Sequence, residues 1–259
     1  MKYNSYLDLK DVYEGSTVYL LGNGADILDL PPSFREKLEN EVTIGTNASH
    51  IFLQETNFYI AGHWCHLLPH LYSGSVKDCR IFQGPHKSFF GYEENNVLDL
   101  ESNNVKTCLG DFRRPEEDAD PLIGAEQIGL SSTHIAWVLG AKKIIYLGFD
   151  CKSLSHFYSR GYYNSKIKDE YVRVRNFYID EPDIKSDFDD FWNINIEPNS
   201  IPGAYSPDQG TFYLKNYDML LGSYSEVFKK LNSEGVETVT YNENSILFEA
   251  GAALESFDE

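Results

Sequence analysis

The sequence predicts an α/β protein built on a doubly wound, mostly parallel sheet with a lid inserted at one edge. Three observations carry this prediction. Short apolar, β-branched runs stop at glycine or small polar residues: Val18–Leu21 before Gly22, Val42–Gly45 before Thr46, and Asn57–Ala61 before Gly62. A helical pattern, Gly124–Leu139, runs through Gly140 into the continuous apolar strand Ile144–Phe149, which ends at Asp150. The segments between the runs are long enough for the crossovers that parallel neighbours require. With 259 residues and 42% hydrophobic content, residues 1–259 are read as a single domain, with 151–210 as a lid within it and 249–259 as a flexible acidic tail.

The elements follow in order. Ser16–Leu21 is a buried strand and Gly22-Asn23-Gly24 a tight turn at its end. A second strand ends in Thr46-Asn47-Ala48-Ser49 and a third at Gly62. In the stretch 124–139, Ile128, Ile135, Val138 and Leu139 recur at three-to-four spacing with small Ala125, Gly129 and Ala136 between them, as in a helix packed closely on a sheet. Gly140 stands where a C-terminal cap glycine belongs. From Cys151 to Gly210 the chain is rich in Tyr, Asn, Asp and Pro and includes the acidic stretch 180–197, which reads as the lid. Leu220, Leu221, Tyr224, Val227, Phe228 and Leu231 then mark a last long helix, followed by Gly235 and the strand Val236–Thr240.

Composition narrows the function. A formal net charge of −18 repels phosphate backbones and anionic lipid, so nucleic acid and membrane surfaces are not expected partners. Met1–Lys10 is polar, without the apolar core of a secretory signal, and no apolar run approaches the ~18 residues of a membrane span, so a cytoplasmic location is expected. Cys65, Cys79, Cys108 and Cys151 form no C-x-x-C pair and are read as free thiols, with no zinc site. His63 and His66 share a helix spacing but lack a third ligand.

Several polar residues fall where a parallel sheet places ligands, outside the carboxyl ends of its strands. Gly22, Asn23 and Gly24 can let a phosphate approach backbone amides, or can simply turn the chain. Asn47 can read a ribose or base edge, or can cap a turn. Ser131 and Ser132 are poor helix formers inside a helix, and with His134 they either face a ligand or satisfy buried carbonyls. Asp150 ends an apolar strand, where a carboxylate is costly unless it faces an opening or caps a turn. His156 lies six residues on, close to Tyr162 and Tyr163, and with Asp150 it is the expected proton acceptor.

Taken together, Leu20–Gly24, Ile44–Asn47, Ser131-Ser132 with Leu139–Asp150, and Tyr241–Phe248 occur in an order that resembles a Rossmann-like superfamily. That superfamily contains bacterial lipooligosaccharide sialyltransferases, motility accessory factor glycosyltransferases, archaeal 6-hydroxymethylpterin diphosphokinases and many phage and bacterial proteins. The resemblance implies a nucleotide or nucleotide sugar as the small-molecule partner, contacted by Gly22, Asn23, Gly24, Asn47, Ser131 and Ser132, with Tyr162, Tyr163 and Tyr213 as phosphate contacts. The sialyltransferase branch needs no cofactor or metal and takes its base from a histidine after the lid; Gln209–Tyr217 carries none here. The expected activity is metal-independent transfer from a nucleotide-activated sugar. The alternatives are an Mg²⁺-dependent diphosphokinase acting on a small alcohol, and a non-catalytic nucleotide-binding protein that sequesters its ligand or serves in an assembly.

Overall fold

The computed structural model describes Tyr3, residues 5–62, 76–82, 97–99, 105–106, 112–116, 122–123, 128–149, four isolated helical positions between 166 and 176, and 207–257. Ten strands occur among these residues. Eight form one sheet in the order β10-β9-β8-β1-β2-β3-β4-β5, and every neighbouring pair in it is parallel. They are β1 (Thr17–Leu21), β2 (Val42–Thr46), β3 (Thr56–Ala61), β4 (Val76–Phe82), β5 (Val97–Asp99), β8 (Lys143–Leu147), β9 (Glu237–Thr240) and β10 (Ala253–Leu254). The short strands β6 (Val105–Lys106) and β7 (Leu122–Ile123) pair separately. Among the described residues the continuous α-helices are α1 (Pro32–Leu38), α2 (Ile128–Val138), α3 (Pro207–Ser233) and α4 (Ile246–Glu249). This is the doubly wound α/β fold expected of the sequence.

Period-two alternation divides the sheet between two cores. Val18, Leu20, Ile44, Phe58, Ile60, Cys79, Ile81, Ile144 and Tyr146 join one buried cluster with Leu130, Ile135 and Val138 of α2 and Leu220, Tyr224, Val227, Phe228 and Leu231 of α3. The α3 residues fall at 3.6-residue spacing, so a single stripe of that helix is buried. The alternate strand residues Tyr19, Leu21, Tyr59 and Leu147 are buried as well, and Tyr19 meets Phe34 of α1 edge-on at 6.1 Å. With both faces covered, the central strands read as continuous apolar runs.

Three strands on the same side of β1 are entered in the same way. After α2, Gly140 (φ +91°) lets the Ala141 amide donate to Ala136 O at 3.1 Å. After α3, Gly235 (φ +81°) lets Val236 N donate to Leu231 O at 3.0 Å, and after α4, Gly251 (φ +106°) lets Ala252 N donate to Leu247 O at 3.0 Å. Each closes a left-handed helix cap and turns the chain directly into β8, β9 or β10. The acidic tail, which its composition marks as flexible, therefore contributes an edge strand. Phe257 beyond it stacks on Tyr241 at 4.4 Å.

Candidate functional site

The chain steps outward from β1 through β2, β3, β4 and β5, then returns to β8 on the other flank of β1 and continues to β9 and β10. The winding thus reverses between β1 and β8, and in open α/β sheets a ligand crevice forms outside the carboxyl ends of the strands at such a reversal. Glycines make the contact there. A Cβ on Gly22 would lie 2.2 Å from the Gly148 carbonyl oxygen, and Gly148 itself has φ +74°. Leu147 O accepts from Gly22 N at 2.7 Å and Gly148 O from Gly24 N at 2.8 Å. The two glycine amides that the sequence offers to a phosphate are therefore committed to β8. At Gly22 the glycine serves close backbone approach, and the Gly22 and Gly24 N–H groups are spent on these bonds.

Asn23 bridges from this turn to the end of β2. Its Nδ2 donates to Thr46 O at 3.3 Å, and its Oδ1 accepts from Ala48 N at 3.1 Å. Thr46 Oγ1 donates to Leu21 O at 2.8 Å, and the Tyr59 hydroxyl donates to Asn47 O. Asn47 is thus gripped on both sides and held with φ +47°, the left-handed region that asparagine tolerates better than other non-glycine residues. Its own side-chain Oδ1 is buried without a hydrogen-bond partner. A buried acceptor in that state costs about 1–3 kcal/mol until a donor reaches it.

Ser131 and Ser132 are completely buried in α2. Ser132 Oγ donates to Gly129 O at 2.9 Å, and Thr133 Oγ1 reaches the same carbonyl at 2.7 Å as well as lying 3.0 Å from the Tyr146 hydroxyl. The Ser132 and Thr133 hydroxyls therefore satisfy backbone at a tight helix contact, where a Cβ on Gly129 would sit 2.3 Å from the Tyr224 hydroxyl. His134 Nε2 lies 2.7 Å from Arg113 O, and its ring lies 4.8 Å from that of Phe112. Burial lowers the His134 pKa to about 4, with the Arg113 carbonyl acting in the opposite direction, so the ring is neutral and packed. Asp150, His156, Tyr162, Tyr163, Tyr213, His63 and His66 lie outside the residues whose side chains are described.

On the other side of the glycine contact a cavity of about 550 Å³ opens over the ends of β8, β9 and β10. Asp26, two residues past Gly24, lies in its wall with Asp29, Tyr241, Asn242, Glu243 and Phe257. Asp26 Oδ2 accepts from Asn242 Nδ2 at 3.1 Å, whereas Oδ1 is buried without a partner. Burial raises the Asp26 pKa, the Asn242 bond opposes that rise, and the Asp29 charge adds to it. Sequence reasoning passed over Asp26, although a carboxylate just after a strand-end glycine turn is a signal that could have found it. Among the described residues no three His, Cys, Asp or Glu side chains converge as metal ligands. None of the described helices is long and apolar enough to cross a membrane.

No protein-family model matches this chain, and no curated protein matches it significantly.

Proposed function

We propose that this protein is a group transferase of glycosyltransferase type that takes a nucleotide-activated sugar at the β1–β8 crevice. The observation that carries the reading is Asn47. Its backbone is clamped through Asn23 and Tyr59 in a left-handed conformation, and its amide keeps one buried acceptor without a donor. A base or ribose N–H or O–H supplies the missing donor. On this reading Asp150 or His156 takes the acceptor proton, a contribution typically worth ~10²–10⁴ in rate. One observation favours a second reading, a nucleotide-binding protein without turnover: the Gly22 and Gly24 amides are already bonded to Leu147 O and Gly148 O, so neither serves a donor phosphate.

A thermal-shift panel of cytidine, uridine, guanosine, adenosine and thymidine phosphates, each with and without Mg²⁺, tests both. A ligand at ~100 times its Kd adds ~2.7 kcal/mol of apparent stability. Metal-free stabilisation by a pyrimidine nucleotide, with hydrolysis or transfer of the matching nucleotide sugar, is the expected result. Stabilisation without turnover moves the assignment to the binding protein. A shift confined to adenine nucleotide with Mg²⁺ moves it to diphosphate transfer, and no shift with any nucleotide removes the proposal.

A further inference from the structure

Asn23-Gly24 is the one Asn-Gly pair in the 259 residues, and this dipeptide carries a chemistry of its own. The backbone nitrogen that follows an asparagine can attack the side-chain Cγ, and glycine, having no Cβ, hinders that approach least. The nitrogen gives its proton to hydroxide, a new N–Cγ bond closes a succinimide ring, and the Cγ–Nδ2 bond breaks. The departing nitrogen takes up a proton from water and leaves as ammonia. A water molecule then opens the ring at one of its carbonyls. The product is aspartate, or isoaspartate with the main chain running through the side-chain carbon. Water is consumed, ammonia is released, and nothing is oxidised or reduced.

Both nitrogens that must react are held by the fold. Gly24 N donates to Gly148 O at 2.8 Å, and that bond is lost when the nitrogen sheds its proton. Asn23 Nδ2, the leaving group, donates to Thr46 O at 3.3 Å, while Oδ1 accepts from Ala48 N at 3.1 Å. Deamidation therefore breaks the bond from the turn to Gly148 and the bond from the turn to the end of β2. Thr46 adds a further tie, because its Oγ1 donates to Leu21 O at 2.8 Å and fixes the end of β1 against β2.

The product does not restore what is lost. An aspartate at position 23 has no N–H for Thr46 O and sets a charged oxygen against that carbonyl. An isoaspartate also lengthens the main chain by a carbon, one residue from the Gly22–Gly148 contact, where even an added Cβ would lie 2.2 Å from a carbonyl oxygen. Either outcome loosens the hold that Asn23 keeps on the chain on both sides of Asn47.

We propose that Asn23 is a latent deamidation site. The Gly148 and Thr46 carbonyls hold it unreactive in the folded chain, local opening of the turn after β1 admits succinimide closure, and conversion releases the clamp on Asn47. This modification needs no ligand, so it stands apart from the nucleotide reading.

Peptide mass spectrometry of the full chain, aged at mildly alkaline pH with and without guanidinium chloride, tests it. Deamidation at Asn23 is expected to be at least about tenfold slower in the folded chain, the ratio that two net hydrogen bonds support. Thr46→Val keeps the shape of the side chain and removes the tie to Leu21 O. Its folded form is expected to deamidate at Asn23 about threefold faster than the folded parent or more, and its unfolded form at the parent's rate. Asn23→Asp, the direct product, is expected to speed amide exchange across residues 46–49 by about threefold or more. Equal rates in the folded and unfolded chains, no deamidation at Asn23 in the unfolded chain, an unchanged folded rate in Thr46→Val, or unchanged exchange in Asn23→Asp would each overturn the proposal. The comparison of folded with unfolded parent needs no variant, so it decides even where Thr46→Val fails to fold.

Discussion

At the scale of single residues, the crevice is built from amides and glycines whose roles separate cleanly. Asn23 and Tyr59 use their polar atoms to hold the chain around Asn47, while Asn47 keeps its side-chain oxygen unpaired. Glycine at position 47 retains the left-handed backbone and removes only the amide. Asn47→Gly is therefore expected to melt close to the parent protein but to bind nucleotide at least about tenfold more weakly, as calorimetry would read it, in keeping with the cost of a lost buried hydrogen bond. Asn23→Ala should weaken the same binding indirectly and lower stability too, because it frees Thr46 O and Ala48 N. Gly22 behaves differently from both. A methyl group there collides with the Gly148 carbonyl oxygen, and overpacking against backbone at 2.2 Å should cost about 3 kcal/mol or more in denaturant unfolding.

Elements carry the next predictions. The caps at Gly140 and Gly235 share a conformation but differ in surroundings. Nothing lies within 4 Å of a Cβ built on Gly235, whereas one on Gly140 meets Glu14 Cα at 2.7 Å. Gly235→Ala should cost about 1–2 kcal/mol from its backbone conformation alone, and Gly140→Ala distinctly more; unfolding midpoints of the pair separate strain from collision. Helix α2 carries a pH dependence through His134. Its folded pKa of about 4 lies below the ordinary 6.5, so between those values the unfolded chain takes up a proton that the folded chain refuses. Stability is full above about pH 6.5 and is lost as pH falls through the window to about 4, by roughly 3 kcal/mol in total. His134→Gln should flatten that part of the pH–stability curve while leaving the carboxylate-dependent part in place.

Across the whole molecule, charge dominates. A formal net charge of −18 repels itself in the compact state, and raising salt from about 0.01 M to 0.15 M shortens the screening length from about 30 Å to 8 Å. The melting temperature should rise over that range, even though surface pairs such as Lys230–Glu234 are weakened by the same salt. A fall in melting temperature with added salt would mean that specific ion pairs outweigh the repulsion.

The sequence by itself determined the alternation of strands and helices: apolar runs of strand length, helical spacing in α2 and α3, and the glycines at the exits of those two helices are local signals, and they appear in the fold where they were read. It also marked the residues after β1 and β2, because strand ends are legible in a single pass along the chain. Only the tertiary structure decided what those residues do. That the Gly22 and Gly24 amides bond to β8, that Asn23 grips the chain on either side of Asn47, and that Asp26 meets Asn242 are pairings between segments up to 216 positions apart. Such pairings depend on strand order, which no local pattern encodes. The tail shows the same division, since Ala253 and Leu254 stand among small and acidic residues with little strand propensity. They become β10 because Gly251 turns them onto an edge that β9 leaves open.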